Sequence, residues 1–225
     1  SAQSAPAAKP AKPGEIDPPA DYRIAGLAPT LARRNSVLKV EITPGGPRLA
    51  KTYLGRYTAA EEAAAYERVG PLCESIPEIR LPHVIGVEEE TNTIRLEFVH
   101  GRNLRQALRS EGFAVLDAHW PALLELFKRS RDRGVRFDGD PANFIVSQAE
   151  QRLVLVDPVC HPMDLPDFVL VVFLFGLFKA SVARPLRLLP SFPGVLQRVL
   201  KEYCQSTGEL EAGVRRQLAE YSEQV

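Results

Sequence analysis

The segment from Gly134 to Asp157 constrains the fold of this chain more than any other. It reads Gly-Val-Arg-Phe-Asp138-Gly-Asp140-Pro141-Ala-Asn143-Phe-Ile-Val, then a polar turn, then Arg152-Leu-Val-Leu-Val-Asp157. The Asp-Gly-Asp-Pro cluster ends any helix before it, because Gly and Pro punctuate regular structure and Asp favours turns. Phe144-Ile-Val and Leu153-Val-Leu-Val are short apolar runs bounded by turn signals, which predicts two strands. The flanks are helical by pattern. Leu116 to Arg131 repeats Leu123, Leu124 and Phe127 on one face, and Phe168 to Phe178 is a continuous apolar run. The second half must therefore fold a β-hairpin among helices, with Asp138 and Asn143 in the loop that enters its first strand and Asp157 at the end of its second.

Residues 22–100 have the opposite texture. Ser36-Val-Leu-Lys-Val-Glu-Ile, the turn Thr43-Pro-Gly-Gly-Pro47 and Arg48-Leu-Ala-Lys-Thr-Tyr-Leu54 read as a hairpin. Thr58-Ala-Ala-Glu61 is a capping box, so a helix is expected from Thr58 to about Val69, stopped by Gly70-Pro71. Val84-Ile-Gly-Val and Thr93 to Val99 are two further strands, separated by a polar turn. From Asn103 the texture becomes helical, with late helices at Val195–Cys204 and Glu209–Glu223. This predicts an α+β fold: a β-rich N-lobe with one helix over 22–100, and a compact, mainly helical C-lobe over 101–225. Residues 1–21 carry Pro and Ala and almost no bulky apolar group, so they read as a flexible arm that cannot repay its ordering entropy.

The bulk numbers exclude several function classes. Lys+Arg and Asp+Glu both total 28, and this zero net charge argues against a dedicated nucleic-acid binder. Cys73, Cys160 and Cys204 are scattered without metal spacing, which suits a reduced, cytoplasmic protein rather than a disulfide framework. His83, His100, His119 and His161 do not cluster as a zinc site would. The run from Phe168 to Phe178 is too short to cross a bilayer and reads as a buried helix. Arg184-Pro-Leu-Arg-Leu-Leu-Pro-Ser-Phe192 mixes cations with Leu and Phe, so residues 168–192 leave open a peripheral contact with the inner face of a cytoplasmic membrane.

The polar residues suggest a chemistry. Lys51 lies in a strand between apolar neighbours, which would direct its ammonium into a cleft, and it needs a carboxylate to fix it. Glu61 belongs to the capping box. Glu62 shares a helix face with Tyr66 and Val69, so it is the expected ion-pair partner. Asp138 is placed to accept a proton from a hydroxyl. Asn143 and Asp157 offer the oxygen ligands that magnesium on a triphosphate takes. The bland reading of the same residues is a surface lysine, a solvated helix face and polar turns. It leaves the order of Lys51, Glu62, Asp138, Asn143 and Asp157 to chance.

That order resembles the protein-kinase-like superfamily over roughly residues 22–205, and the compact second lobe is most similar to bacterial lipopolysaccharide kinases and RIO-type atypical kinases. Arg136-Phe137-Asp138 stands where the family has His-Arg-Asp, and Asp157-Pro158-Val159 where it has Asp-Phe-Gly. The resemblance implies ATP and Mg2+ as cofactors, Lys51 on the phosphates, Asp138 as base, and Asn143 and Asp157 as metal ligands. It makes the Glu97 carbonyl and Val99 amide adenine contacts, with Leu96 as gatekeeper. Asp167 becomes either a brace for the catalytic loop or an N-cap.

Three features depart from the pattern. Only Gly26 lies between Tyr22 and Lys39, so Arg33 and Arg34 would have to hold phosphates in place of a Gly-rich loop. Asp140 sets a negative charge two residues after the base. Almost nothing separates Asp157 from Asp167, which removes a peptide-docking segment and favours a saccharide, lipopolysaccharide-type or specific protein acceptor. The expected function is ATP- and magnesium-dependent phosphoryl transfer to a hydroxyl. The alternative is a kinase-fold pseudoenzyme that serves as an interaction or scaffold module.

Overall fold

The computed structural model describes residues 30–32, 36–55, 57–160, 163–183, 187–188 and 192–224. The fold is mixed α+β, with a sheet-rich N-terminal region and a helical C-terminal region. A five-stranded sheet has the order β1 (Thr30–Ala32), β2 (Ser36–Thr43), β3 (Gly46–Tyr53), β6 (Thr93–Glu97) and β5 (Val84–Glu88), with antiparallel neighbours throughout. Lys51 sits on the central strand, opposite Leu38 on β2 and Ile94 on β6. Because strand side chains alternate, Leu49, Lys51 and Tyr53 share one face. That face meets helix α1 (Ala59–Cys73) through a small core of Tyr53, Ala59, Tyr66, Ile94 and Leu96.

The Thr58–Glu61 capping box is formed in both directions. The helix does not stop at Gly70-Pro71 as the sequence suggested; it continues to Cys73 with Pro71 inside. Packing overrides the local signal here, since Leu72 and Cys73 are buried in the main core. The carbonyls of the last turn also find partners: Arg129 bonds Leu72 O at 3.4 Å and Arg133 bonds Pro71 O at 3.2 Å.

The hairpin of the second half is part of a larger sheet. Its strands β8 (Phe144–Ser147) and β9 (Leu153–Leu155) are flanked by β7 (Gly101–Asn103) and by β4 (Ile79–Arg80), in the order β4-β9-β8-β7. The strand β4 pairs in parallel with β9, so two residues of the N-terminal half complete a sheet of the C-terminal half. Neither β4 nor β7 was legible beforehand, because strands of two or three residues carry no period. The segment Thr30–Ala32 is likewise a strand rather than part of a loop, and Arg33 and Arg34 lie outside the described residues.

The helical region comprises α2 (Leu104–Glu111), α3 (Ala114–Asp132), α4 (Phe168–Ser181), α5 (Phe192–Thr207) and α6 (Glu211–Gln224). The apolar run is α4. Its residues Val169 to Leu174 and Leu177 are buried in a core shared with Trp120, Leu123, Phe127, Phe144, Leu200 and Tyr203. From Val169 to Leu174 the continuous hydrophobicity reflects burial on all sides, while Phe178 near the end of the helix is exposed. Among the described residues no helix is long and apolar enough to cross a membrane. Residues 184–186 and 189–191 of the suggested membrane segment lie outside the described set.

Candidate active site

The loop from Phe137 to Asn143 is built from the backbone outward. Phe137 is fully buried and anchors its entry. The Asp138 N–H donates to Pro158 O at 3.3 Å. Gly139 lies so close to α4 that a Cβ would stand 2.5 Å from Val169 O, and one added to Gly176 would stand 2.3 Å from Pro141 Cδ. Gly139 needs glycine because a neighbouring backbone approaches it, and Gly176 because the Pro141 ring and the Asp140 carboxylate pack against it. Asp140 N–H donates to Asp138 Oδ1 at 3.0 Å, and Asp140 Oδ1 accepts from Ala142 N–H at 2.8 Å, capping a 3-10 turn over Pro141–Asn143. Asn143 is pinned at three points. Its N–H reaches Asp140 O at 2.8 Å, its carbonyl accepts from Val156 N–H at 2.8 Å, and its side-chain amide reaches Asp138 O at 3.4 Å.

The second group converges from the other side. Lys51 Nζ lies 2.9 Å from Asp157 Oδ1 and 3.2 Å from Glu62 Oε2. Lys51 and Glu62 are buried, the latter completely, while Asp157 keeps a quarter of its side chain exposed. Tyr53, two residues along the same face, donates its hydroxyl to Glu62 Oε2 at 2.5 Å and lays its ring 4.7 Å from the Lys51 ammonium. Tyr66 donates to Val156 O at 2.6 Å, which ties α1 to the residue before Asp157. Sequence reasoning missed both tyrosines as supports, since an aromatic on a buried face reads as core.

Lys51, Asn143 and Asp157 line one cleft, whose remaining wall is largely apolar: Leu38, Leu49, Leu96, Val99, Ile145 and Val156. A largely apolar cleft with a few polar side chains is the usual form of a small-molecule site. Glu97 also lines it. Its side chain is held by Arg80 at 2.7 and 2.9 Å, and Arg80 in turn grips Glu150 on the β8–β9 turn. Glu97 and Val99 are thus in the cleft wall, with strand β6 ending at Glu97 rather than at Val99.

Burial dominates the electrostatics. It lifts the Asp138 carboxyl from the usual 3.8 to about 7, with the nearby charges of Asp140 and Asp157 adding to the rise. Burial also raises Glu62, outweighing the attraction of Lys51, and raises the Tyr53 and Tyr66 hydroxyls. Burial opposes ionisation of Glu97 as well, but its hydrogen bonds from Arg80 win and hold it below the usual range.

Asp140 is the residue the sequence marked as a misfit. In the fold its carboxylate is held by the Arg105 guanidinium, 2.5 Å at Oδ1 with a second contact at Oδ2. Asp167 is fully buried at the start of α4. Its carboxylate accepts from Tyr203 at 2.6 Å and Gln217 at 2.8 Å and pairs with Arg131 at 3.0 Å. It therefore fastens α3, α5 and α6 around the base of α4.

Among the described residues no three His, Cys, Asp or Glu side chains gather as a metal cage. Asn143 and Asp157, which line the same cleft, are the side chains there that could offer a cation an amide and a carboxylate oxygen.

No protein-family model matches the chain, and no curated protein matches it. Among solved structures it is similar to the complex of Rv3197 with erythromycin from Mycobacterium tuberculosis, at 13% identity and a TM-score of 0.45. That match covers 58% of this chain and 44% of the other, so the chain spans less than half of that protein's length.

Proposed function

We propose that the chain is an ATP- and magnesium-dependent phosphotransferase that acts on a hydroxyl, with a protein-kinase-like arrangement of two lobes over 22–100 and 101–225. One observation carries the reading: Lys51 is fixed between Glu62 and Asp157 on the wall of a cleft that also holds Asn143. An ammonium braced by a buried carboxylate is positioned for phosphate oxygens, and Asn143 with Asp157 would hold the metal beside them. The magnesium ion, when bound, supplies charge neutralisation of the phosphates. Asp138 accepts the acceptor hydroxyl's proton, and a carboxyl raised to about 7 is matched to that task near neutral pH. A saccharide of the lipopolysaccharide type or a specific protein is the acceptor class this reading favours, because only a short connection separates Asp157 from α4.

A second reading, a kinase-fold scaffold without catalysis, is favoured by the same ion pair. Lys51 already satisfies two carboxylates, so a nucleotide must compete with Asp157 for it. Thermal unfolding with ATP, with and without magnesium, separates the two. Ligand at 100 times its Kd adds about 2.7 kcal/mol of stability, and the phosphotransferase reading expects that shift only with magnesium. It should vanish in Asp157→Ala and persist in Asp138→Ala. Absence of any shift at millimolar nucleotide sinks the enzyme and leaves the scaffold.

A further inference from the structure

We propose that Arg105, on the first turn of α2, is a positioning residue for Asp138, acting by neutralising and anchoring Asp140. Two contacts connect them. The Arg105 guanidinium binds both carboxylate oxygens of Asp140, and the Asp140 backbone N–H donates to Asp138 Oδ1 at 3.0 Å. The turn that projects Arg105 is itself fixed, since Asn103 and Gln106 form a capping box at the start of α2. On the opposite side the loop is closed in by α4, where Gly176 meets Asp140 and Pro141. Asp140 is therefore clamped between a cation and a helix, and the amide it presents to Asp138 has one place to be.

The charge balance gives the clamp its purpose. After burial, the charges of Asp140 and Asp157 add to the rise of the Asp138 carboxyl, and the Cys160 thiol and Tyr221 hydroxyl, raised first by burial, feel the same negative field. Lys51 serves Asp157. Arg105 is the counter-ion of Asp140. Its contacts to Asp140 run through one Nη atom, while its Nε is buried with no hydrogen-bond partner. Without that guanidinium, Asp140 would be an uncompensated carboxylate beside two others, and the loop carrying Asp138 and Asn143 would open.

The kinetic arm of the test rests on the phosphotransferase reading; the first arm does not. Amide hydrogen exchange of the free full chain reports the loop directly. In Arg105→Gln the amides of Asp140 and Asn143 should exchange roughly tenfold faster, the size of one lost charge-assisted hydrogen bond. In Arg105→Gln/Asp140→Asn protection should return, because the asparagine keeps the cap on Ala142 and removes the stranded charge. Unchanged exchange in the single variant overturns the proposal. Equal loosening in both variants also overturns it, since Arg105 would then act by packing.

In the second arm, inorganic phosphate release from Mg–ATP with water as acceptor is followed. The single variant should lose roughly tenfold in kcat with KM for ATP changed by less than about twofold. Arg105→Lys should retain an intermediate rate, and the double variant should regain most of it. A loss confined to KM, or no recovery in the double variant, refutes the positioning role. A wild-type chain that neither binds nor hydrolyses Mg–ATP sinks the enzymatic reading and leaves the exchange result to decide the role of Arg105.

Discussion

Replacing Lys51 by methionine tests the electrostatic argument at its most demanding point. Glu62 is fully buried, and its Oε2 faces the Lys51 ammonium at 3.2 Å. At an effective dielectric constant of about 20 that separation gives about 5 kcal/mol of attraction. The variant cannot lose all of it, because a stranded buried carboxylate takes up a proton instead. Unfolded, the same group ionises near 4.5. Keeping it protonated in the fold costs about 1.4 kcal/mol for each pH unit above 4.5, and because burial already raises Glu62 in the wild-type chain, the variant's extra cost is at most about 3.4 kcal/mol at pH 7 and under about 1 at pH 5. The sign follows from proton counting. Above 4.5 the unfolded variant releases a proton that the folded variant retains, so stability falls as pH rises. Asp157 adds little, being partly exposed and able to rehydrate. Urea unfolding of Lys51→Met should show a deficit that grows by several-fold between pH 5 and pH 7. Lys51→Met/Glu62→Gln should be more stable than the single variant at pH 7 and nearly flat with pH, since glutamine still accepts from Tyr53. A deficit independent of pH, or a double variant no better than the single one, would refute the reasoning.

Three further outcomes are expected. Asp138 is raised to about 7 by burial, so the folded chain holds a proton that the unfolded chain releases above 3.8, and its burden on stability appears as pH rises from about 4 to 7. The full value is about 4 kcal/mol, and the surface this residue keeps in solvent reduces it to roughly half. Asp138→Asn should thus raise the melting temperature at pH 8 and leave it almost unchanged at pH 4, by calorimetry across that range. Gly176→Ala would put a Cβ 2.3 Å from Pro141 Cδ and should destabilise the chain by about 1–3 kcal/mol. In α5, Gly194→Ala meets nothing within 4 Å and should instead add up to about 1 kcal/mol by helix propensity; paired denaturant curves distinguish the two.

The parts of the fold that were legible in the sequence are those with a period or a punctuating residue. The β2–β3 hairpin follows from partial alternation and a Pro-Gly-Gly-Pro turn, and α1 begins where its capping box says. The end of α1 was not legible, because the local Gly-Pro signal competes with burial of Leu72 and Cys73 by helices about fifty residues away in sequence. The parallel pairing of Ile79–Arg80 with Leu153–Val154 was invisible for a related reason. A two-residue strand exists only because its partner does, and no window of the sequence contains both.

The site divides along the same line. Residues whose chemistry and spacing are local could be nominated: Lys51, Glu62, Asp138, Asn143 and Asp157 each stand on a recognisable strand, helix face or turn. Residues that make the site work through contacts could not, because their meaning depends on what they meet. Tyr53 and Tyr66 look like core aromatics until their hydroxyls reach Glu62 and Val156. Arg105 looks like a surface cation on a short helix until it meets Asp140, 35 positions later. That contact changes the weight of the sequence evidence. Asp140 counted against phosphate binding only while its charge was taken to be free, since an unpaired carboxylate repels a triphosphate. Paired with a guanidinium and bonded through its backbone to Asp138, it becomes part of the scaffold that holds Asp138. A substitution that breaks a family's pattern is thus an argument against activity only after its partner in space has been found.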